Sequence, residues 1–235
     1  MNLNDATFRV FDTETTGLDP DADMVVEVAC VDVFRGRAIW AYESLVNPGR
    51  PIPPEASAIH HITDADVLMA PSITETMNSL TNGVCIPVAH NASFDSAMLS
   101  QYIEGPWLCT RRLSAHLWPE APSHSNQVLR YWLELDCPAA KGMPAHRAMS
   151  DAYVTGALLV RALAEIQERG IADTVEGLLE YASGPILQTK IKFGKHFGKL
   201  WHELPIDYLL WMSRNEWDEE TTYTLNNELR RRVGK

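Results

Sequence analysis

Four acidic side chains lie in short segments of small, polar and apolar residues. Asp12 and Glu14 stand two apart in D-T-E-T-T-G, Asp95 ends H-N-A-S-F-D, and Asp151 ends H-R-A-M-S-D. Side chains two apart on a strand point to one face, so the first pair shares a face. Acids gathered on an apolar face repel each other and lose hydration, which a divalent cation relieves. Because Mg²⁺ prefers carboxylate, water and phosphate oxygens, the pattern points to phosphodiester hydrolysis.

Each acidic segment alone also has an ordinary structural interpretation. A single D-x-E pair is commonly the acidic end of a strand that runs into solvent, and an acid in the first turn of a helix is stabilised by the helix dipole, which would account for Asp95. Asp95 and Asp151 are nevertheless spaced with apolar residues, so both are predicted to point inward. His146 precedes Asp151 by five residues in a loop. A histidine there can exchange a proton near neutral pH.

The elements that must position these residues follow a mixed pattern. Strands are predicted over Thr7–Glu14, Val25–Val33, Ala38–Val46 and Val84–Ala89. Helices are predicted near 55–62, 73–81, 93–103, 124–134 and 149–169, with a short one over Asp173–Tyr181. The run V-V-E-V-A-C-V-D-V is typical of a strand covered on both faces. Strands followed by alternating strands and helices predict a mixed α/β fold.

Composition excludes disorder and a membrane span. The chain has 235 residues, 46% of them hydrophobic, and a net charge of −11. That charge alone argues against binding nucleic acid, because phosphates would be repelled. Residues 185–235 differ, since they hold 9 basic and 7 acidic side chains. The first residues lack the basic and apolar regions of a signal peptide, so we expect a cytoplasmic protein.

We expect three regions along the chain. Residues 1–170 form the main domain, 171–184 a linker with a short helix, and 185–235 a small basic-fronted α+β module that begins at the turn Ser183-Gly184-Pro185. In I-K-F-G-K-H-F-G-K-L-W the two glycines permit a tight hairpin. The lysines of this segment can neutralise phosphates. Its aromatic rings can stack on bases, but they can equally form the core of so small a module together with residues 208–212.

The three acidic segments, in this order, resemble the three motifs of the DEDDh exonuclease superfamily. The resemblance spans roughly residues 7–168. It implies a ribonuclease-H-like fold with a mixed five-stranded sheet flanked by helices. It also implies a 3′-to-5′ exodeoxyribonuclease that uses two Mg²⁺ or Mn²⁺ ions, acts in DNA repair or recombination, and releases nucleoside 5′-monophosphates from single-stranded or duplex DNA. The alternatives are an exoribonuclease, a polymerase-associated proofreading exonuclease, or a catalytically silent nucleic-acid-binding module.

The resemblance also implies roles for particular residues. The metal ligands are Asp12, Glu14, Asp95 and Asp151, and His146 is the general base. Substrate contacts are expected from Thr15, Leu18 and Asn91 of the catalytic domain and from Lys190, Lys192, Lys195 and Lys199 of the module. Leu18 can equally belong to the core.

Other residues are expected to be structural. We interpret Glu27 as an ion-pair partner inside a central strand, and His60 and His61 as residues of a helix surface. The segments A-I-H-H-I-T, W-x-C-T, L-W-P and F-G-K-x-x-G-K extend the resemblance to nearly the whole chain.

Overall fold

The protein is built on one mixed sheet of five strands, seen in a computed structural model that describes residues 1–81, 83 and 85–233, the last by its backbone only. The strands are β1 (Thr7–Thr15), β2 (Val25–Phe34), β3 (Arg37–Leu45), β4 (Ile86–Ala89) and β5 (Leu108–Cys109). The helices are α1 (Pro54–His60), α2 (Asp64–Val67), α3 (Ile73–Leu80), α4 (Ala92–Met98), α5 (Thr110–Leu117), α6 (Asn126–Trp132), α7 (Ala148–Glu168), α8 (Val175–Ser183), α9 (Ile206–Met212) and α10 (Glu219–Val233). Their order confirms the mixed α/β prediction. In the described part of the chain, no helix is long and apolar enough to cross a membrane.

The sheet has the strand order β3-β2-β1-β4-β5. Strands β1, β2 and β3 form an antiparallel meander, and β4 and β5 then add parallel to β1. The pairing of β1 with β2 shifts between Glu14 and Thr15. This irregularity lies directly after the predicted acidic pair, one residue before β1 ends and the chain leaves the sheet.

The two faces of the sheet are covered by different elements. Phe8 and Val10 of β1 pack in a large core with residues of α5, α7 and α8, while Phe11 packs in a second core with residues of α3 and of the chain after α4. This alternation confirms that Asp12 and Glu14 continue the face of Phe8 and Val10. Strand β2 is buried along nearly its whole length, as its sequence predicts.

The segment 171–184, expected to be a linker with a short helix, contains the helix α8. This helix packs against the main domain. Val175, Leu178 and Ala182 are buried in the large core. The guanidinium of Arg112 also donates hydrogen bonds to the carbonyl oxygens of Ala182, at 3.1 Å, and Gly184, at 2.7 Å. The end of α8 is therefore fixed to α5.

The C-terminal module, residues 185–233, has a core of its own. Ile191, Trp201, Leu209 and Met212 are buried there, and the ring of Phe193 stacks on Trp217 at a centroid distance of 4.6 Å. These aromatic residues therefore belong to the core. The predicted run 208–212 is core only in part, because it forms the helix α9 and turns two of its residues to the surface: Leu210 and Trp211 are about half exposed.

The β part of the module is a single hairpin. Lys190 and Leu200 form an isolated antiparallel bridge, and the turn between them passes through Gly194 and Gly198. Both glycines have positive φ, 65° and 82°, a conformation that favours glycine. The hairpin predicted from the two glycines is thus present, and the regular structure after it is helical.

Several element limits differ from the predictions. Helix α5 and the two-residue strand β5 were not predicted, and α4 ends at Met98 instead of 103. The fourth predicted strand is observed over Ile86–Ala89, and its first residue, Val84, lies outside the described residues.

Candidate active site

Three of the predicted acids meet where β1 leaves the sheet. Asp12 and Glu14 stand near the end of β1, on the face of the strand that also carries Phe8 and Val10. Asp151 faces them from the first turn of α7. Each offers a carboxylate oxygen, and these oxygens lie within 4.8 Å of one another. Within residues 1–81, 83 and 85–233, no other group of three acidic, histidine or cysteine side chains is placed to hold a metal ion. The arrangement fits a hard divalent cation, which prefers oxygen ligands.

Asp151 is held in position by two hydrogen bonds. The side-chain amide of Gln127, on α6, donates to its Oδ1 at 2.7 Å, and the backbone N–H of His146 donates to its Oδ2 at 2.9 Å. His146 itself is exposed and has a positive φ of 60°. The loop thus turns back on the first turn of α7, which brings the predicted base next to the acidic trio.

Asp95 reaches the same region from the other side of β1. It is buried, and its Oδ1 accepts hydrogen bonds from the backbone N–H of Thr13, at 3.1 Å, and from the Thr13 hydroxyl, at 2.9 Å. Asp95 is not one of the three acids whose oxygens lie within 4.8 Å. Its charge nonetheless raises the pKa of Asp12. The structure thus places Asp95 beside the trio, anchored to the strand that carries it.

The protein leaves the negative charge of this site largely uncompensated. Burial, followed by the charges of Asp151 and neighbouring acids, raises the pKa of Glu14 to about 8. Burial also raises the pKa of Asp95 to about 7, against the opposing effect of its hydrogen bonds from Thr13. The pKa of Asp12 is raised for the same reasons, first by burial and then by Asp95. Protons or a cation must therefore neutralise the cluster near neutral pH.

A separate ion pair, whose carboxylate is fully buried, lies beside the site. Glu27, fully buried in β2, accepts hydrogen bonds from the guanidinium of Arg147 and, at 2.9 Å, from the backbone N–H of Ala148. The interpretation of Glu27 as an ion-pair partner is confirmed. The pair fixes the residue next to His146, and it ties the start of α7 to the sheet.

The turn after β1 presents one apolar side chain to solvent. Leu18 is 84% exposed, so the alternative that it belongs to the core is wrong. The hydroxyl of Thr15 donates to the carbonyl oxygen of Gly17 at 2.6 Å. At Gly17 the carboxylate of Asp23 occupies the space that a Cβ would need. The absence of a side chain at Gly17 therefore leaves room for the carboxylate of Asp23.

The remaining predicted substrate residues are all exposed to solvent. Asn91 is exposed at the start of α4, where its side-chain oxygen accepts a hydrogen bond from Arg111 at 3.3 Å. The four module lysines, Lys190, Lys192, Lys195 and Lys199, are all exposed on the hairpin. Only Lys190 and Lys192 line the cleft between the module and the catalytic domain.

Sequence reasoning misjudged or missed three polar residues near the site. His60 is buried and not on a helix surface: its Nδ1 accepts a hydrogen bond from the backbone N–H of Ile62 at 3.0 Å, and burial lowers its pKa. His61, in contrast, is exposed as expected. His90, in the second motif, is half-buried, and desolvation lowers its pKa to about 4, so it is neutral near pH 7; its ring forms hydrogen bonds with the Thr110 hydroxyl and the carbonyl oxygen of His124. Gln127 carries no local signal, because only the packing of α6 on α7 brings it to Asp151.

The matching family model defines the class of this protein. It is described as Exonuclease (RNase_T) and matches residues 10–159, which include all four acids and His146. The chain belongs to this exonuclease family, whose members hold divalent metals, and it is a nuclease of the hydrolase class. The predicted ribonuclease-H-like fold agrees with its structural neighbours.

Comparison with individual proteins shows which members of the family the chain is similar to. The chain is 37% identical to exodeoxyribonuclease 10 of Escherichia coli (strain K12), over 88% of this chain and 90% of that protein. It is 36% identical to the DNA polymerase III subunit epsilon-like protein of Rhodobacter capsulatus, over 72% of this chain and 25% of that protein. A solved structure of exonuclease X in complex with 5′ overhanging duplex DNA superposes with a TM-score of 0.65 and 37% identity, and covers 75% of this chain and 99% of that chain. The chain is thus similar to exodeoxyribonuclease 10 over most of its length, which agrees with a family resemblance that extends to nearly the whole chain.

Proposed function

We propose that this protein is a metal-dependent 3′-to-5′ exodeoxyribonuclease that releases nucleoside 5′-monophosphates from DNA 3′ ends. The observation that carries the proposal is the trio Asp12, Glu14 and Asp151, with oxygens within 4.8 Å of one another and with uncompensated charge. The relatives named for DNA-directed exonucleases support the choice of substrate. A role in DNA repair or recombination follows from the same resemblance.

The acidic residues would hold two Mg²⁺ or Mn²⁺ ions. Asp12, Glu14 and Asp151 supply the close oxygens, and Asp95 adds a fourth carboxylate from the far side of β1. When bound, such ions polarise the scissile phosphate and lower the pKa of a nucleophilic water. Gln127 keeps Asp151 oriented by its hydrogen bond, so the ligand geometry is largely prearranged.

His146 would act as the general base. Its loop is fixed to Asp151 through the backbone hydrogen bond, while its imidazole is exposed to incoming substrate. An imidazole is neutral often enough near pH 7 to accept the proton of the attacking water. The positive φ of His146 is a conformation that costs free energy in a non-glycine residue, and such strain is concentrated at functional sites.

Three further residues would contact the terminal nucleotides. Leu18 is placed to touch a base because its side chain projects from the turn after β1. Thr15 shapes that turn through its hydrogen bond to Gly17, and Asn91 lies beside Arg111, where a phosphate can be bound. The lysines Lys190, Lys192, Lys195 and Lys199 would attract the DNA backbone.

The polarity and the product are tested with a single-stranded DNA labelled at its 5′ end. We expect a ladder that shortens from the 3′ end in steps of one nucleotide, with nucleoside 5′-monophosphates recovered by chromatography. Asp12→Ala serves as the control for contaminating nucleases. Internal cuts, or immediate release of the labelled end as a mononucleotide, would contradict the proposal.

A proofreading exonuclease is the second candidate. It is favoured by the similarity to polymerase proteins, including the Rhodobacter capsulatus protein and the DNA polymerase III PolC-type of Bacillus subtilis, which is 32% identical over 72% of this chain. The two candidates differ in their preference for mismatched ends. A proofreader removes a mismatched 3′ nucleotide from duplex DNA faster than a matched one when it acts with its polymerase, whereas a free-standing enzyme is expected to degrade single strands directly.

A further inference from the structure

A second feature suited to nucleic acid lies between the C-terminal module and the catalytic domain. A cleft of about 760 Å³, here called the module cleft, is lined on one side by Asn91 and Arg111 and on the other by Lys190, Lys192 and Phe197. The solved exonuclease X structure covers 75% of this chain. About half of the residues that line the module cleft belong to the module, including Lys190, Lys192 and Phe197 of its hairpin.

The module cleft is cationic in a strongly acidic protein. Besides Arg111, Lys190 and Lys192, it is lined by Arg112, whose charge is already compensated by Glu220 at 3.4 Å. Among the residues that the structure describes, Arg111, Lys190 and Lys192 have no carboxylate within ion-pair distance. Three cations thus remain available in a chain whose net charge is −11. Uncompensated cations concentrated in a concave surface attract a polyanion.

The other two hairpin lysines are used differently. The ammonium group of Lys195 lies 5.1 Å from the centroid of the Tyr208 ring, a cation–π contact within the module. Neither Lys195 nor Lys199 lines the module cleft. The four lysines are therefore not equivalent, although the sequence presents them as one basic run.

Phe197 supplies an aromatic surface at the rim of the module cleft. It is 74% exposed, whereas Phe193 stacks on Trp217 and Trp201 is buried. The hairpin turn therefore presents one of its three rings to solvent. An exposed ring beside cations is the combination with which proteins bind unpaired bases. A duplex covers the faces of its bases, so the ring indicates a single strand.

The module cleft also reaches the start of the helix that carries one of the four acids. Asn91 and Ser93, at the start of α4, line it, and the same helix carries Asp95 one turn further on. Resting on the proposed function, we infer that the module cleft binds the single-stranded part of the DNA substrate that leads to the 3′ end. Arg111, Lys190 and Lys192 contact its phosphates, and Phe197 stacks on one of its bases.

The first test measures how tightly a long single strand binds. Binding of a fluorescently labelled strand of about 16 thymidines is measured by anisotropy in the Asp12→Ala background, which we expect not to hydrolyse it. Phe197→Ala and the double variant Lys190→Ala/Lys192→Ala should each weaken binding about tenfold, since a stacked base or two phosphate contacts are lost. The matched controls are Tyr223→Ala, an exposed aromatic residue of α10, and Lys141→Ala/Arg214→Ala, which removes two exposed cations outside the module cleft; each should change binding less than twofold.

A spectroscopic measurement examines stacking alone. A strand that contains 2-aminopurine should lose fluorescence on binding wherever the base stacks on Phe197. Phe197→Leu, which keeps the bulk but removes the aromatic face, should abolish that loss, and Phe197→Trp should restore it. If Phe197→Ala and Phe197→Leu bind and quench like Tyr223→Ala, the assignment of the module cleft is wrong and the exposed ring serves another partner.

Hydrolysis of a trinucleotide separates this inference from the proposed function. So short a strand extends little beyond the catalytic centre, so the Phe197 and lysine variants should cleave it at the wild-type rate. A lower rate in these variants would mean that they disturb the catalytic centre and would contradict the inference. A wild-type protein that cleaves neither the trinucleotide nor the long strand would contradict the proposed function, while the binding measurements still decide on the module cleft.

Discussion

The catalytic centre and the module cleft, in the roles proposed for them, handle the same polyanion by opposite means. The centre is acidic and partly buried, and the residues proposed as its metal ligands come from β1, α4 and α7, which the sheet and the cores hold in place. The module cleft is exposed and basic, and its residues come from a hairpin and from short connecting segments. Geometry matters most where bonds are broken, whereas charge alone suffices to attract a chain of phosphates.

This contrast explains how an acidic protein can act on DNA. Ionised acids at the centre would repel a phosphate. The raised pKa values of Asp12 and Glu14 show that burial and the neighbouring acids already disfavour their negative charge. Bound divalent cations would therefore make the centre attractive to the substrate, while the module provides its own lysines. Substitutions in the two regions should accordingly change different kinetic quantities.

The largest effect is expected from the metal ligands. Asp12→Ala or Asp151→Ala should lower turnover to less than about a hundredth of the wild-type value, because losing a metal clamp removes several kcal/mol of transition-state stabilisation. The fold should survive, since each change also relieves repulsion between buried acids. Turnover at saturating DNA and circular dichroism measure the two effects. Either variant with more than a hundredth of wild-type turnover would contradict the assignment.

His146→Ala should follow, with a loss of about 10²- to 10⁴-fold in turnover, which is the usual contribution of a general base. Metal binding should persist, because the backbone N–H of this residue still bonds Asp151 whatever its side chain. Calorimetric titration with Mn²⁺ checks this. Loss of a binding event in the variant would make His146 a metal ligand instead of a base.

The module lysines should change affinity and its salt dependence. Replacing Lys190, Lys192, Lys195 and Lys199 with Ala should flatten the slope of log K against log salt by about 3 if all four neutralise phosphates, and by about half of that if only the two cleft lysines do. Turnover at saturating DNA should stay unchanged. Lys141→Ala/Arg214→Ala, which removes two exposed cations elsewhere, is the control. An unchanged slope would assign the module to structure or to protein binding.

The smallest effect concerns stability against pH without metal. Glu14, with a pKa of about 8 in the folded protein, retains a proton that the unfolded chain loses near its ordinary value, so stability is highest below about pH 4.5 for this group and falls towards pH 8. We expect a loss of about 1–3 kcal/mol between pH 5.5 and 8.5 in EDTA, and recovery with Mg²⁺. Urea unfolding measures it. The same decline in Glu14→Gln would exclude Glu14 as its source.

Sequence patterns predicted the parts of the molecule that depend on local periodicity. The alternation in β1 and the apolar spacing around Asp151 placed these acids on inward faces, and the glycines at 194 and 198 indicated the hairpin. The motif resemblance then predicted that acids from elements as distant in sequence as β1 and α7 lie together in space. Periodicity alone does not specify which elements meet in space.

The features that sequence missed depend on tertiary packing. Gln127 reaches Asp151 only because α6 packs on α7, and His60 is buried only because α1 folds over the sheet region near Glu27 and Arg147. The four lysines form one basic run in the sequence, so the sequence could not show that only two of them line the module cleft and that Lys195 contacts Tyr208. Short elements such as β5 are specified by their neighbours, since two residues carry almost no pattern.

The most direct test of the account is the digestion of 3′-labelled single-stranded DNA, duplex DNA and RNA side by side, with Mg²⁺ and with EDTA. We predict rapid release of labelled nucleotide from DNA with Mg²⁺, slower release from RNA, and none in EDTA or with Asp12→Ala. Release that continues in EDTA would contradict the metal-dependent centre. A rate on RNA above that on DNA would contradict the proposed substrate.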